Sequence, residues 1–171
     1  MQKYKFSWDL ISTGNINEAR PNLGPTTRLE NYRLMQFTLR DVLEQRYGAE
    51  ETDDLFRAAG NMAGRSLYEN MVGNAKDLGE LVQKLQELLQ DMSIGILRLE
   101  ESDLEKGQFV LTVAEDLDCS GLPDTGHEVC IYDEGFLAGI LEAYTGKKFH
   151  VREVDCWCTG DRTCRFKAQV V

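Results

Sequence analysis

Four of the five cysteines, Cys130, Cys156, Cys158 and Cys164, fall in the last quarter of a 171-residue chain, and no other feature constrains the fold as tightly. An odd, clustered set of thiols does not make a disulfide framework in a reducing compartment, so the clustering points to a metal. A chain of this length buries roughly 70% of its unfolded surface and needs neither disulfide nor metal merely to fold. A metal here would therefore serve a local purpose.

The donors that fit one site are Cys130, Glu153, Cys156 and Cys164. In an uninterrupted strand Glu153 and Cys156 point to opposite faces, so a shared site requires a bulge or a strand end near Val154. Thr159, Gly160 and Asp161 read as the turn that brings Cys164 back to the same point. Three thiolates and one carboxylate satisfy tetrahedral zinc, and four protein donors describe a structural site rather than a catalytic one. Cys158 and His127 are alternative ligands, with Glu153 then an acceptor behind the metal or a strand residue facing solvent. A spare thiol at Cys158, a loop histidine at 127, and an unmetallated group of buried cysteines are the plainer readings. Cys119 reads as an ordinary small buried residue.

The composition, 42% hydrophobic and 28% charged, is that of one globular domain. A formal net charge of -10 argues against nucleic acid or an anionic membrane surface as the main partner. No stretch approaches the roughly 20 apolar residues of a membrane span. Met1 to Leu10 lacks the apolar core of a signal peptide, so a soluble, cytoplasmic protein is expected.

Hydrophobic periodicity divides the single domain into three parts. In residues 1–28, Tyr4, Phe6 and Trp8 alternate as a half-buried strand does, and a loop rich in Gly, Asn and Pro follows. Residues 29–92 read as three helices. Thr27 with Glu30 forms a capping box for the first, which ends at Gly48; the second starts at Thr52, with Gly60 and Gly64 letting another backbone come close. Asp77 with Glu80 caps the third, whose apolar stripe includes Leu81, Leu85 and Leu89. From residue 93 the period changes. A hairpin is expected from 94–99 and 108–114 around a turn at 100–107, then a helix capped by Asp133 and ended by Gly146, then a second hairpin. Its last strand alternates most clearly, with Cys164, Phe166, Ala168 and Val170 on one face. The fold class is α+β, a mainly antiparallel sheet packed against a helical layer. Phe37, Phe109, Leu111, Phe136, Ile140 and Trp157 are candidates to line a cavity between sheet and helices.

The segment beginning at Cys119 carries Gly121, Cys130, the run Gly135-Phe136-Leu137-Ala138-Gly139, Glu153, Cys156, Gly160-Asp161 and Cys164-Arg165-Phe166. In these marks it resembles the 4-vinyl reductase domain, also called the predicted hydrocarbon-binding domain, most closely over residues 93–171. The resemblance implies a superfamily that includes Golgi transport tether subunits, which hold an acyl chain, and the effector-sensing domains of phenol- and xylene-responsive activators. In those sensors a Cys, Glu, Cys, Cys set with the same intervals holds zinc, which carries over to Cys130, Glu153, Cys156 and Cys164. The sensors' ligand-facing Trp falls by count at Phe109, and their His has no counterpart here.

Three functions follow as expectations. The first is a zinc-binding module for a small hydrophobic or aromatic molecule, acting as a stand-alone prokaryotic sensor or carrier. The second is a reductase or accessory subunit acting on a tetrapyrrole vinyl group in a bacteriochlorophyll-type pathway, although no cofactor or catalytic motif is visible. The third is a dimeric interaction module like the tether subunits. A homodimer is expected from the apolar helix faces. Because Val171 lies seven residues past Cys164, no output module is expected after it, and a signal would pass through another protein.

Overall fold

The computed structural model describes residues 3–11 and 14–171. Two hairpins build its sheet. β1 (Ile96–Asp103) turns through Leu104–Gly107 into β2 (Gln108–Ala114), and β3 (Phe149–Asp155) returns as β4 (Cys164–Val170). β4 lies beside β2, giving an all-antiparallel order β1-β2-β4-β3. The first turn is shorter than the 100–107 expected, because β1 continues to Asp103 once its register slips between Leu99 and Glu101. Gly107, at φ 62°, closes that turn and accepts a hydrogen bond from the Val170 amide at 2.9 Å. The alternation read for the last strand holds: Cys164, Phe166 and Ala168 are buried, while Lys167 and Gln169 are exposed.

One helix occupies the centre of the molecule. α5 (Ile131–Thr145) is buried along nearly its whole circumference, since the sheet covers one side and α3 (Ala49–Leu67) the other. Reciprocal glycines make this crossing possible. A Cβ at Gly60 or Gly64 of α3 would enter the Tyr132 or Phe136 carbonyl oxygen, and one at Gly135 or Gly139 of α5 would enter the Arg57 or Asn61 carbonyl oxygen. The close approach anticipated at Gly60 and Gly64 is thus a backbone-on-backbone contact within the chain.

Charged clamps hold both ends of α5. Glu134, buried, accepts from Arg57 Nε at 2.7 Å and from the Glu153 amide at 2.9 Å. Glu142, also buried, accepts from Lys148 Nζ at 2.8 Å, Arg65 at 3.0 Å and the Phe149 amide at 3.3 Å. Two buried carboxylates therefore tie α5 to α3 and β3, in the paired state that burial of a charge requires.

The remaining helices flank this centre. α1 (Ile16–Ala19) is a single turn, α2 (Leu29–Tyr47) packs on α3, and α4 (Leu78–Asp91) covers β1 with Leu81, Leu85 and Leu89. Asp77 caps α4 as expected, accepting the Glu80 amide at 2.9 Å, while Glu80 reaches one residue further back to the Lys76 amide. Among the described residues no helix is long and apolar enough to cross a membrane.

Four element boundaries differ from the sequence reading. The expected N-terminal strand is irregular backbone followed by a 3₁₀ turn, Trp8–Leu10, because its aromatic residues cover a cavity instead of pairing with the sheet. At α2 the box does not form: Glu30 pairs with Arg28, and Thr27 Oγ1 takes Asn31 Nδ2 at 2.8 Å. α3 begins at Ala49, so Gly48 at φ 85° both ends α2 and opens α3, and Thr52 is turned inward to donate to the Gly48 carbonyl at 2.8 Å. α5 starts two residues before Asp133, with Cys130 at its N-cap.

Candidate functional site

Four sulfurs converge at one end of the sheet. Cys119 lies in the loop after β2, Cys130 at the N-cap of α5, Cys156 just past β3 and Cys164 at the start of β4. All four are buried, and their Sγ atoms lie within 4.8 Å of one another. Cys130 and Cys164 sulfurs are 3.8 Å apart, and those of Cys119 and Cys164 are 3.1 Å apart. Tetrahedral Zn–S bonds near 2.3 Å separate sulfurs by about 3.8 Å, so the cluster fits such an ion after a slight opening at Cys119.

Local structure explains the convergence. β3 slips register between Glu153 and Asp155, leaving Val154 exposed, and this is the irregularity that a shared site requires. Beyond it, Cys156 heads a tight turn through Trp157–Thr159: the Thr159 and Asp161 amides donate to the Cys156 carbonyl at 3.1 Å, and Gly160 adopts φ 98°. The Cys156 sulfur also accepts a backbone N–H from that turn. Opposite, Asp116 Oδ1 takes the Asp118 and Cys119 amides at 2.8 and 3.2 Å, fixing the loop that presents Cys119.

Cys119 is the donor that sequence reasoning missed. A buried small residue and a ligand look alike in one sequence; its only signal was that all five thiols lie between residues 119 and 164. Glu153 stands against the cluster rather than among its four sulfurs. Its Oε2 accepts the Cys130 amide at 3.1 Å, and its Oε1 is buried without a partner among the described residues. Burial first, and then the Cys156 sulfur beside it, push the Glu153 carboxyl up to about 9. The Cys156 thiol is held far below its ordinary value by hydrogen bonds from Cys119, Cys130 and Cys164, while contacts with Cys119, Cys156 and Cys164 push Cys130 up. One thiolate shared among neighbouring thiols is the state from which a metal displaces protons.

The two alternative ligands lie apart. Cys158 is buried outside the four-sulfur group, with burial pushing its thiol up to about 11, and its carbonyl accepts the Thr125 and Gly126 amides. His127 is exposed, and its Nδ1 contacts the Thr125 carbonyl at 3.0 Å.

Beside the sulfurs is a cavity of about 470 Å³, formed by α2, α3, the start of α5 and the N-terminal segment. Phe6, Trp8, Met35, Leu39, Leu67 and Phe136 supply much of its apolar wall. Of the six residues expected to line a pocket, Phe136 does so. Phe109, Leu111 and Ile140 are buried in the core, with Phe109 against Phe149 at 5.7 Å between ring centroids. Trp157 donates from Nε1 to the Leu122 carbonyl at 2.9 Å, and Phe37 is half-buried away from the cavity. The reason is architectural: α5 fills the space between sheet and helical layer, so the open volume lies between helices.

Cavity and cluster share a wall. Asp118 precedes Cys119, Asp133 lies one turn into the helix that Cys130 caps, and both aspartates line the cavity. Asp118 Oδ1 accepts the Tyr32 hydroxyl at 2.6 Å, and Arg33 grips the same loop through the Leu117 and Ser120 carbonyls at 2.8 to 3.1 Å. Burial, then the neighbouring Asp116, push the Asp118 carboxyl up to about 6; burial, then Asp116 and Asp118, push Asp133 up as well.

Residues 109–170 match the 4-vinyl reductase domain family, and that segment contains all four clustered sulfurs and Glu153. The resemblance read from the residues after Cys119 is therefore found. An uncharacterized protein of Methanocaldococcus jannaschii is 29% identical over 108 residues, 63% of this chain and 61% of that one. The chain spans about three fifths of the length of the first curated relatives it matches. Among solved structures, a vinyl-4-reductase family protein from the same organism aligns at TM-score 0.62 and 17% identity, over 100% of this chain and 99% of that one. The phenol-responsive sensory domain of the transcription activator PoxR, with phenol, aligns at 0.62 and 18%, over 84% and 75%. A trafficking protein particle complex subunit 3 from Naegleria fowleri, covalently bound to palmitic acid, aligns at 0.63 and 10%, over 84% and 95%. At these identities the three establish a shared fold.

Proposed function

We propose that this chain, whose residues 109–170 match the 4-vinyl reductase domain family, is a ligand-binding sensor or carrier; its cavity takes a small, largely apolar molecule and is braced on one wall by zinc. The observation that carries this reading is the shared wall: Cys119 and Cys130 sit beside cavity residues Asp118 and Asp133 along the chain. Cys119, Cys130, Cys156 and Cys164 would hold the ion, with Glu153 bracing the Cys130 amide. Zinc bound there supplies a fixed cross-link with no open position for a substrate.

The cavity volume falls within the usual range for small-molecule sites, and its wall is mostly apolar with few polar groups at one end. The fold shared with PoxR, a sensor solved with phenol, supports a sensing role. The tether subunit bound to palmitic acid supports an apolar ligand. A second copy of the chain is the partner that the exposed apolar face of α2 fits, through Leu34, Met35, Leu39 and Val42.

Native mass spectrometry on protein purified without chelator tests the whole reading. The expected spectrum is a dimer with one zinc per chain and a retained small apolar mass. A metal-free monomer without added mass would overturn it.

A further inference from the structure

The polar end of the cavity offers acceptors without donors. Asp118 is 2% exposed, and while its Oδ1 takes the Tyr32 hydroxyl, its Oδ2 has no partner among the described residues. Gln36, 8% exposed and lining the same cavity, has an Oε1 that is equally unpartnered. Asp133 adds a third acidic or amide group to that end, and among the described residues no Lys, Arg or His lines the cavity. The Arg33 guanidinium is taken up by the carbonyls of Leu117 and Ser120. A buried acceptor left without a donor is costly, and native proteins satisfy such atoms with protein, water or ligand.

These observations select a chemical class. A carboxylate or phosphate ligand would set its charge against two aspartates with no cation to receive it. An alcohol or phenol brings one O–H for two orphan acceptors. An ammonium brings three N–H donors and the opposite charge. Resting on the reading of this cavity as a ligand site, we propose that its occupant is an amphipathic amine, with the apolar body between α2, α3 and α5 and the amino head on Asp118 and Gln36.

The test uses the zinc-loaded full chain and three probes that share one apolar body: 2-phenylethylamine, 2-phenylethanol and 3-phenylpropionate. Each competes with the neutral fluorophore N-phenyl-1-naphthylamine, and calorimetry reads affinity directly. The amine is expected to bind at least tenfold more tightly than the alcohol, with the carboxylate weakest. Asp118→Asn should bring amine and alcohol to within about threefold of each other while leaving the alcohol's affinity nearly unchanged. Gln36→Met, which keeps the side chain's length and removes the acceptor, should also narrow the preference, and it guards against a folding defect in the first variant. Equal displacement by all three probes, or a preference for alcohol or carboxylate, would overturn the amine assignment and leave the cavity reading standing. No binding of the fluorophore or of any probe would overturn both.

Discussion

Cys119 brings a fourth sulfur to the point where Cys130, Cys156 and Cys164 meet, while Glu153 commits one oxygen to the Cys130 amide. Four thiolates complete a zinc shell by themselves, so the two residues should behave differently when changed. Cys119→Ser is expected to weaken zinc binding by well over tenfold and to lower the melting temperature. Glu153→Gln should retain one zinc per chain, with the smaller loss typical of a group that orients a ligand. Metal content by elemental analysis, with chelator competition for affinity, separates the two. Equal loss of zinc in both variants would return Glu153 to the shell. The sequence displayed every thiol, but only the folded chain distinguishes a sulfur within reach of three others from one packed outside that group, as Cys158 is.

Among the elements, α5 determines how site and scaffold communicate. Its first turn carries Asp133 just past the Cys130 cap, and its last carries Glu142, clamped by Lys148, Arg65 and the Phe149 amide. Burial pushes the Glu142 carboxyl up, but hydrogen bonds from Lys148, Arg65 and the Phe149 amide outweigh it and leave the group below its ordinary value of 4.5. The folded state therefore holds this proton less tightly than the unfolded chain. The stability it contributes is present above about pH 4.5 and is lost as pH falls through the lower folded value. Glu142→Gln should cost about 1–3 kcal/mol at neutral pH, since it weakens hydrogen bonds between a buried carboxylate and charged donors. Denaturant titrations at pH 7 and pH 3 check this: the difference between wild type and variant should shrink at the lower pH. A difference independent of pH would show that packing, not charge, holds that end of the helix.

For the whole molecule, the arrangement predicts that metal and ligand are thermodynamically linked. Cys119 and Cys130 flank the aspartates of the cavity wall, so a cross-link between them orders that wall before a ligand arrives. Removal of zinc with a strong chelator should lower the melting temperature and weaken binding of a neutral fluorophore by at least tenfold, and both should return on adding zinc. By reciprocity, saturating ligand should slow zinc loss to the chelator. Ligand affinity unchanged in chelator-treated protein would separate the two sites.

Much of this was legible along the chain. The alternation at Cys164, Phe166 and Ala168, the stripe of α4, the cap at Asp77 and the need for an irregularity near Val154 all follow from local periodicity, because strand and helix spacing set which side chains share a face. The donor types were visible for the same reason, since their chemistry belongs to the residue. What tertiary structure alone decided is where empty space lies. Gly60, Gly64, Gly135 and Gly139 bring α3 and α5 into backbone contact, which closes the expected gap between sheet and helices. The open volume moves outward, to the space covered by Phe6 and Trp8, residues whose alternation reads as a strand but which join no sheet. A cavity is a property of how several elements fail to meet, and no single segment encodes it.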